Sequence, residues 1–251
     1  NTAIEKGVRS GSPDAKVLVW DWGWNDSYAE EIIGRLPKSC WLMSVSEWAL
    51  PIERGGIRSA VGEYALSAVG PGPRALAHWR YAKQAGLKTV AKIQVNASWE
   101  MAVVPAVPVL ELVAQHAENL TSEATDGVML SWSLGGYPST NLELFQSFRP
   151  GQQQETCLRQ LAEKHYGKQA APLVCRAWHL FSEAFKEFPY NGGTLYSGPQ
   201  HRGPANPLYT EPTGWPASMV GIPYDALDNW RSVYPTETFV AQMQKVADGF
   251  A

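Results

Sequence analysis

The chain has 251 residues, of which 45% are apolar and 18% are charged, and its formal net charge is −3. This composition is typical of a globular protein with a sizeable core, and it excludes a disordered or coiled-coil chain. No apolar run approaches the ~20 residues of a membrane span, so we expect no membrane partner. No basic cluster is present, so we expect no nucleic-acid partner. No signal peptide is recognisable, so the compartment stays open between cytoplasm, periplasm and secretion.

The first part of the chain alternates short apolar runs with segments of helical character. Apolar runs at residues 16–22, 40–45, 88–95 and 127–133 predict four strands. Helices are predicted at 2–9, 27–36, 74–85 and 99–124, the last of them interrupted at Pro105 and Pro108. Residues 47–73 are predicted to form a long loop. This alternation predicts parallel βα units joined by right-handed crossovers.

The alternation stops after residue 150. Helices are predicted at 152–166, 170–188, 224–233 and 237–250, with a long aromatic loop rich in Gly and Pro at 189–223. We therefore predict an α/β fold in which residues 1–150 form a TIM-barrel-like half barrel of four strands and residues 151–251 form a mainly helical extension. A half barrel has open sheet edges. We expect a homodimer, capping by the helices after Gln152, or a missing N-terminal half to complete it.

Aromatic residues concentrate where the predicted strands end. Active sites of parallel βα folds lie at these carboxyl ends. Six of the eleven tryptophans fall there, beside carboxylates and amides: Trp20, Trp22, Trp24, Trp48, Trp99 and Trp132. Flat indole rings cover the apolar faces of sugars, and carboxylate or amide groups bind sugar hydroxyls. The pattern therefore favours a carbohydrate site.

Three carboxylates are the candidates for the chemistry of such a site. Asp21, Glu47 and Glu100 follow the first three predicted strands. Glycosidic cleavage commonly uses two carboxyl groups that flank the bond. We predict that these three residues are catalytic. The predicted substrate-binding residues are Trp22, Trp24, Trp48, Asn96, Trp99, Trp132 and Tyr137.

Other reactive residue types give weaker signals. Cys40, Cys157 and Cys175 are too scattered for a disulfide framework or a zinc site, and we expect buried thiols. The histidines have no metal-ligand spacing, so we predict no metal site and no cofactor. Glu63 falls in the long second loop, where a solvated position is expected.

Four motifs together carry a family resemblance. They are Trp20-Asp-Trp-Gly-Trp24, Ser46-Glu-Trp48, Asn96-Ala-Ser-Trp-Glu100 and Leu130-Ser-Trp-Ser-Leu-Gly-Gly-Tyr-Pro138. With them the sequence resembles bacterial glycoside-hydrolase-like barrel proteins related to the family-20-type β-N-acetylhexosaminidases. The resemblance implies the C-terminal half of a (β/α)₈ barrel followed by a helical extension, with Trp99 and Trp132 walling the sugar subsite. The Asp-Glu pair of that family is absent at the predicted strand ends, which leaves open whether this chain is an enzyme.

Three functions follow from these observations. The first is a glycoside-hydrolase-like protein acting on a glycan, with N-acetylhexosamine-containing glycans among the candidates. The second is a non-catalytic carbohydrate-binding barrel fragment with the same aromatic pocket. The third is a metal-dependent βα-barrel lyase or isomerase.

Overall fold

A computed structural model describes residues 2–131, 138–149, 151–198, 210–211, 214 and 227–251. Six strands occur in these residues: β1 Val17–Trp20, β2 Cys40–Val45, β3 Pro51–Arg54, β4 Ile57–Ala60, β5 Lys88–Ile93 and β6 Gly127–Leu130. Four of them form one parallel sheet in the order β1-β2-β5-β6. The protein is thus a mixed α/β protein, and all four predicted strands are confirmed.

Nine helices lie in the same residues: α1 Thr2–Gly11, α2 Asp26–Gly34, α3 Pro73–Gln84, α4 Leu110–Ser122, α5 Thr140–Ser147, α6 Gln154–Phe185, α7 Gly192–Ser197, α8 Leu227–Arg231 and α9 Thr236–Phe250. The start of α2 is capped by Asn25, whose side chain accepts a hydrogen bond from the Ser27 backbone N–H. Just after α3, Gly86 has a φ of 72°, the left-handed conformation that commonly ends a helix.

Two predicted helical segments differ from the structure. The single helix predicted at 99–124 is instead a short 3₁₀ helix, Trp99–Met101, followed by α4. Prolines at 105 and 108 separate the two because proline donates no backbone hydrogen bond and disfavours helical backbone in the residue before it. The two helices predicted at 152–166 and 170–188 are assigned as one element, α6, which contains a break at Gly167 with φ 81° and ψ 160°.

The predicted loop at 47–73 contains an antiparallel hairpin formed by β3 and β4. Its turn is made by Gly55 and Gly56, with φ of 55° and 76°. Two consecutive residues at positive φ suit a tight hairpin turn, and glycine adopts this conformation without strain. The hairpin and the chain after it bring residues 61–67 close to the carboxyl ends of the sheet strands, where Glu63 and Glu100 make the contacts described below.

Two apolar clusters hold the fold together. The smaller lies between the sheet, α2 and α3, and its buried members are Ile33, Leu36, Leu42, Ala82 and Leu87. The larger one joins β5 and α4 to α5, α6 and α9, with Ile93, Leu110, Leu144, Phe185 and Val246 among its buried members. No helix within the described ranges is both long and apolar enough to cross a bilayer.

Candidate functional site

Three tryptophans form a continuous aromatic surface after β1 and β2. The ring centroids of Trp20 and Trp22 are 5.8 Å apart, and those of Trp22 and Trp48 are 6.4 Å apart. We call Trp20, Trp22 and Trp48 the tryptophan row. Trp22, in its middle, is 48% exposed. The rings are inclined to one another by 38° and 63°, so the row offers solvent an angled apolar surface at the carboxyl ends of β1 and β2.

A cation lies against each end of the tryptophan row. The guanidinium carbon of Arg74 is 4.6 Å from the Trp48 ring centroid. At the other end, the ammonium of Lys92 is 5.5 Å from the Trp20 ring centroid and 5.8 Å from that of Tyr64. Lys92 is buried, and burial lowers its pKa. These cation–π contacts help fix the orientation of the outer two indoles.

Glu63 places a carboxyl group directly beside Trp22. The Trp22 indole N–H donates a 2.9 Å hydrogen bond to Glu63 Oε1, and the Tyr196 hydroxyl donates to Glu63 Oε2. Glu63 is 8% exposed, and its burial raises its pKa while the bond from Trp22 opposes the shift. The prediction of a solvated loop position for Glu63 was wrong, because Trp22 and Tyr196 reach this side chain from distant parts of the chain.

Asp21, predicted to be catalytic, is fully buried in a polar network. Its Oδ2 atom accepts a 2.5 Å hydrogen bond from Ser44 and lies 2.7 Å from His78 Nδ1. Arg74 Nη1 is 3.4 Å from Asp21 Oδ1, and Arg74 Nη2 donates to the Asp21 backbone carbonyl at 3.0 Å. These contacts occupy the carboxylate and hold Arg74 under Trp48. Asp21 thus supports the tryptophan row from beneath.

Glu47 is fully buried at the end of β2, and neither of its oxygens has a hydrogen-bond partner among the described residues. His116 Nδ1 lies 3.6 Å from Glu47 Oε1, and its Nε2 lies 2.8 Å from Ser46 Oγ. Burial raises the pKa of Glu47 well above its usual value, and the neighbouring Glu100 raises it further. Burial also lowers the pKa of His116 to about 3. Burial thus shifts both groups toward their neutral forms.

Glu100 is also fully buried, but its carboxylate is satisfied by the protein. It accepts hydrogen bonds from the backbone N–H groups of Leu66 at 2.6 Å and Ser67 at 3.1 Å, and from the Ser98 hydroxyl. Burial raises its pKa, and these bonds oppose the shift. Glu100 therefore anchors the segment after the hairpin, the segment that presents Glu63.

The predicted substrate-binding residues divide into three groups. Trp22 and Trp48 lie together in the tryptophan row, and the Trp99 ring lies 6.0 Å from that of Tyr196, which bonds Glu63. Trp24 instead packs against the cluster between α2 and α3, and the Asn96 side chain accepts a hydrogen bond from Ser139. Trp132 and Tyr137 lie outside the described residues.

Possible metal ligands occur together on the helices of the second half. Glu111, His179 and Glu183 each offer one ligand atom within 4.8 Å of the other two. They lie on α4 and α6, and Glu183 is already paired with Lys186. The three cysteines are free thiols: Cys40 and Cys157 are buried, and Cys175 is partly buried.

Two members of this site, Glu63 and Lys92, were not predicted from the sequence, and Tyr196 was predicted only as one of the aromatic residues that favour a functional role for the loop at 189–223. Lys92 carries a local signal, because a lysine inside an apolar strand is unusual and indicates a special environment. Glu63 and Tyr196 are 133 residues apart and meet only in the fold.

The fold and site define an α/β protein with a tryptophan-lined site at the carboxyl ends of a parallel sheet. Comparison with protein-family models, with curated proteins and with solved structures gave no match.

Proposed function

We propose that this protein binds carbohydrate on the tryptophan row and acts as a glycoside-hydrolase-like protein. The single observation that carries the proposal is the exposed Trp22 ring with the Glu63 carboxyl group bonded to its edge. An indole face covers the C–H face of a sugar, and a neighbouring carboxyl group binds the hydroxyls on its rim. N-acetylhexosamine-containing glycans remain candidate substrates.

Glu63 is the carboxyl group best suited to touch a ligand at this site. Asp21, Glu47 and Glu100 each have no exposed surface, whereas Glu63 retains 8% exposure beside the half-exposed Trp22. Burial raises its pKa, which is the direction in which the pKa of a general acid is shifted. We therefore assign the acid role in a hydrolase to Glu63, with Asp21 and Glu100 as supporting residues.

We further propose that the sheet is half of a (β/α)₈ barrel. The four parallel strands follow one another in chain order across the sheet, without the reversal of order that marks a doubly wound fold. The site residues then lie at the end of the strands where barrel enzymes carry out their chemistry.

A non-catalytic carbohydrate-binding protein is the second candidate. The observation that favours it is the complete burial of the two glutamates predicted to be catalytic, Glu47 and Glu100. Hydrolysis commonly needs two carboxyl groups beside the bond. Glu63 would then bind sugar hydroxyls without proton transfer. The metal-dependent lyase or isomerase gains no support from the described residues, where the metal-capable trio lies on α4 and α6 and not at the strand ends.

A glycan-array screen followed by calorimetry tests the binding proposal. The chain is compared with Trp22→Ala and with Tyr28→Ala, a matched control that removes an exposed aromatic ring from α2. We expect Trp22→Ala to weaken binding of the selected glycan by about tenfold or more, and Tyr28→Ala to leave it unchanged. No glycan binding, or equal loss in both variants, would overturn the proposal.

A hydrolysis assay with chromogenic glycosides then distinguishes the glycoside-hydrolase-like protein from the non-catalytic binding protein. Turnover that is lost in Glu63→Gln while binding persists supports the hydrolase. Binding without turnover in the unmodified chain supports the binding protein.

A further inference from the structure

Within the described ranges, each outer strand of the parallel sheet is paired along one edge only. Among the described residues β1 pairs with β2 alone, and β6 pairs with β5 alone. Each edge presents unpaired backbone N–H and C=O groups, which are a template for another strand. Because the sheet is parallel, the β6 edge of one sheet is complementary to the β1 edge of a second sheet in parallel orientation.

The same strands expose apolar side chains. Leu18 and Trp20 of β1 and Val128 and Met129 of β6 are all at least 36% exposed. Side chains of a strand point to the faces of the sheet, and all-parallel sheets are normally covered on both faces, so exposed apolar side chains here favour association. The uncovered apolar surface of the described sheet therefore lies on its two outer strands.

The described helices after Gln152 make few contacts with β1 and β6. In the part of the chain that the structure describes, α6 packs on α4 and α5, and α9 packs on α6. Their extensive contacts are with other helices, not with β1 or β6. Of the arrangements that would complete the sheet, capping by these helices is thus the least supported.

Helix α1 and the groove beside β6 both present apolar side chains. Ile4 and Val8 lie one turn apart on α1 and are 64% and 38% exposed, so this short apolar stripe has little to pack against. Beside β6 a groove of about 320 Å³ is lined by Leu120, Val128, Phe145 and Phe148 among others. Since α1 directly precedes β1, a β1 strand placed beside β6 of another chain brings its own α1 to the outside of that junction.

We propose that two copies of this chain associate edge to edge, with β1 of each copy beside β6 of the other. Two four-stranded sheets joined in this way give eight parallel strands, the number that closes a barrel filled by side chains. The partner's α1 seats Ile4 and Val8 in the groove beside β6. The tryptophan row follows β1 and β2, so the partner's strand ends complete the rim of the site. This proposal stands independently of sugar binding.

The oligomeric state tests the proposal. Sedimentation equilibrium over a concentration series is run on the chain, on Ile4→Glu/Val8→Glu and on the control Leu173→Glu/Leu180→Glu, which places two charges on exposed positions of α6. We expect a mass twice the 27.6 kDa of one chain. The Ile4→Glu/Val8→Glu variant is expected to dimerise at least about tenfold more weakly, and the Leu173→Glu/Leu180→Glu variant with unchanged affinity. Circular dichroism checks that each variant is folded.

Hydrogen exchange supplies a measurement that does not depend on the variants. Amides of β1 and β6 are expected to exchange more slowly at concentrations where the dimer forms than where it dissociates. A chain that stays monomeric at every concentration would overturn the proposal. So would a dimer that is equally stable in the Ile4→Glu/Val8→Glu variant and leaves the β1 and β6 amides unprotected.

Discussion

The indole N–H of Trp22 donates a 2.9 Å hydrogen bond to the carboxylate of Glu63, which lies 41 residues further along the chain. The contact joins the first strand end to the segment after the β3–β4 hairpin. Glu63 also accepts from the Tyr196 hydroxyl, so one side chain ties three separate parts of the chain together. The exposed aromatic surface and the carboxyl group are thereby held in one fixed arrangement, which is what a binding site requires.

Replacing Glu63 by Ala is expected to destabilise the protein by about 1–2 kcal/mol, because two part-buried donors lose their acceptor and water replaces only part of the bonding. Glu63→Gln keeps an acceptor oxygen and is expected to cost less. Urea unfolding measures both values. Glu53→Ala serves as the control, because Glu53 pairs with Arg58 on the surface. If Glu63→Ala lowers the free energy of unfolding no more than Glu53→Ala does, the bonds to Trp22 and Tyr196 do not stabilise the fold.

Removing the Asp21 carboxylate is expected to lower the free energy of unfolding much more than removing that of Glu63. Asp21→Ala leaves the buried Arg74 and His78 with only the exposed Asp26 as an acidic partner, and breaking a buried pair in this way costs about 3–5 kcal/mol. The exposed pair of Arg58 and Glu53 is the control, and Arg58→Ala is expected to cost at most about 1 kcal/mol. Thermal and urea unfolding provide the comparison. Similar losses in the two variants would mean that the buried network contributes no more than a surface pair.

The four parallel strands were predictable because each is a short apolar run followed by polar or aromatic residues. The β3–β4 hairpin carried a weaker signal, since its strands contain the charged residues Glu53, Arg54 and Arg58 and are not apolar runs, although Gly55-Gly56 between two short alternating segments indicates a turn. The placement of the carboxylates was not predictable. Sequence position puts Asp21, Glu47 and Glu100 at strand ends, but their burial depends on partners as distant as Arg74, His116 and Leu66.

Glu47 predicts a specific pH dependence of stability. Burial raises its pKa above the usual value of 4.5, so between the unfolded and folded pKa values the native state binds more protons than the unfolded state. Stability contributed by this group is therefore complete below pH 4.5 and is lost as pH rises through the folded pKa. Glu47→Gln removes the titration. We expect its free energy of unfolding, relative to the unmodified chain, to increase as the pH rises above the unfolded pKa of 4.5.

Urea unfolding of Glu47→Gln and of the unmodified chain at several pH values measures this difference in the free energy of unfolding. His116 has a pKa of about 3, which makes stability rise between pH 3 and 6.5, and it lies 3.6 Å from Glu47. The comparison is therefore made above pH 6.5, where His116 contributes no pH dependence in either chain. Glu53→Gln is the control for removing an exposed carboxylate. A difference between Glu47→Gln and the unmodified chain that stays constant with pH would contradict a raised pKa for Glu47.

Gly72 allows the backbone at the start of α3 to pass closely over the end of β2. A Cβ atom on Gly72 would lie 2.4 Å from the Trp48 carbonyl oxygen and 2.9 Å from that of Glu47. Both obstacles are backbone atoms, so Gly72→Ala must shift either the α3 start that positions Arg74 or the chain that carries Trp48. We expect a loss of about 1–3 kcal/mol in urea unfolding, with weaker glycan binding through the displaced Trp48. Gly62→Ala is the matched control, because nothing lies within 4 Å of its added Cβ; equal stability of the two variants would show that the close approach at Gly72 is not needed.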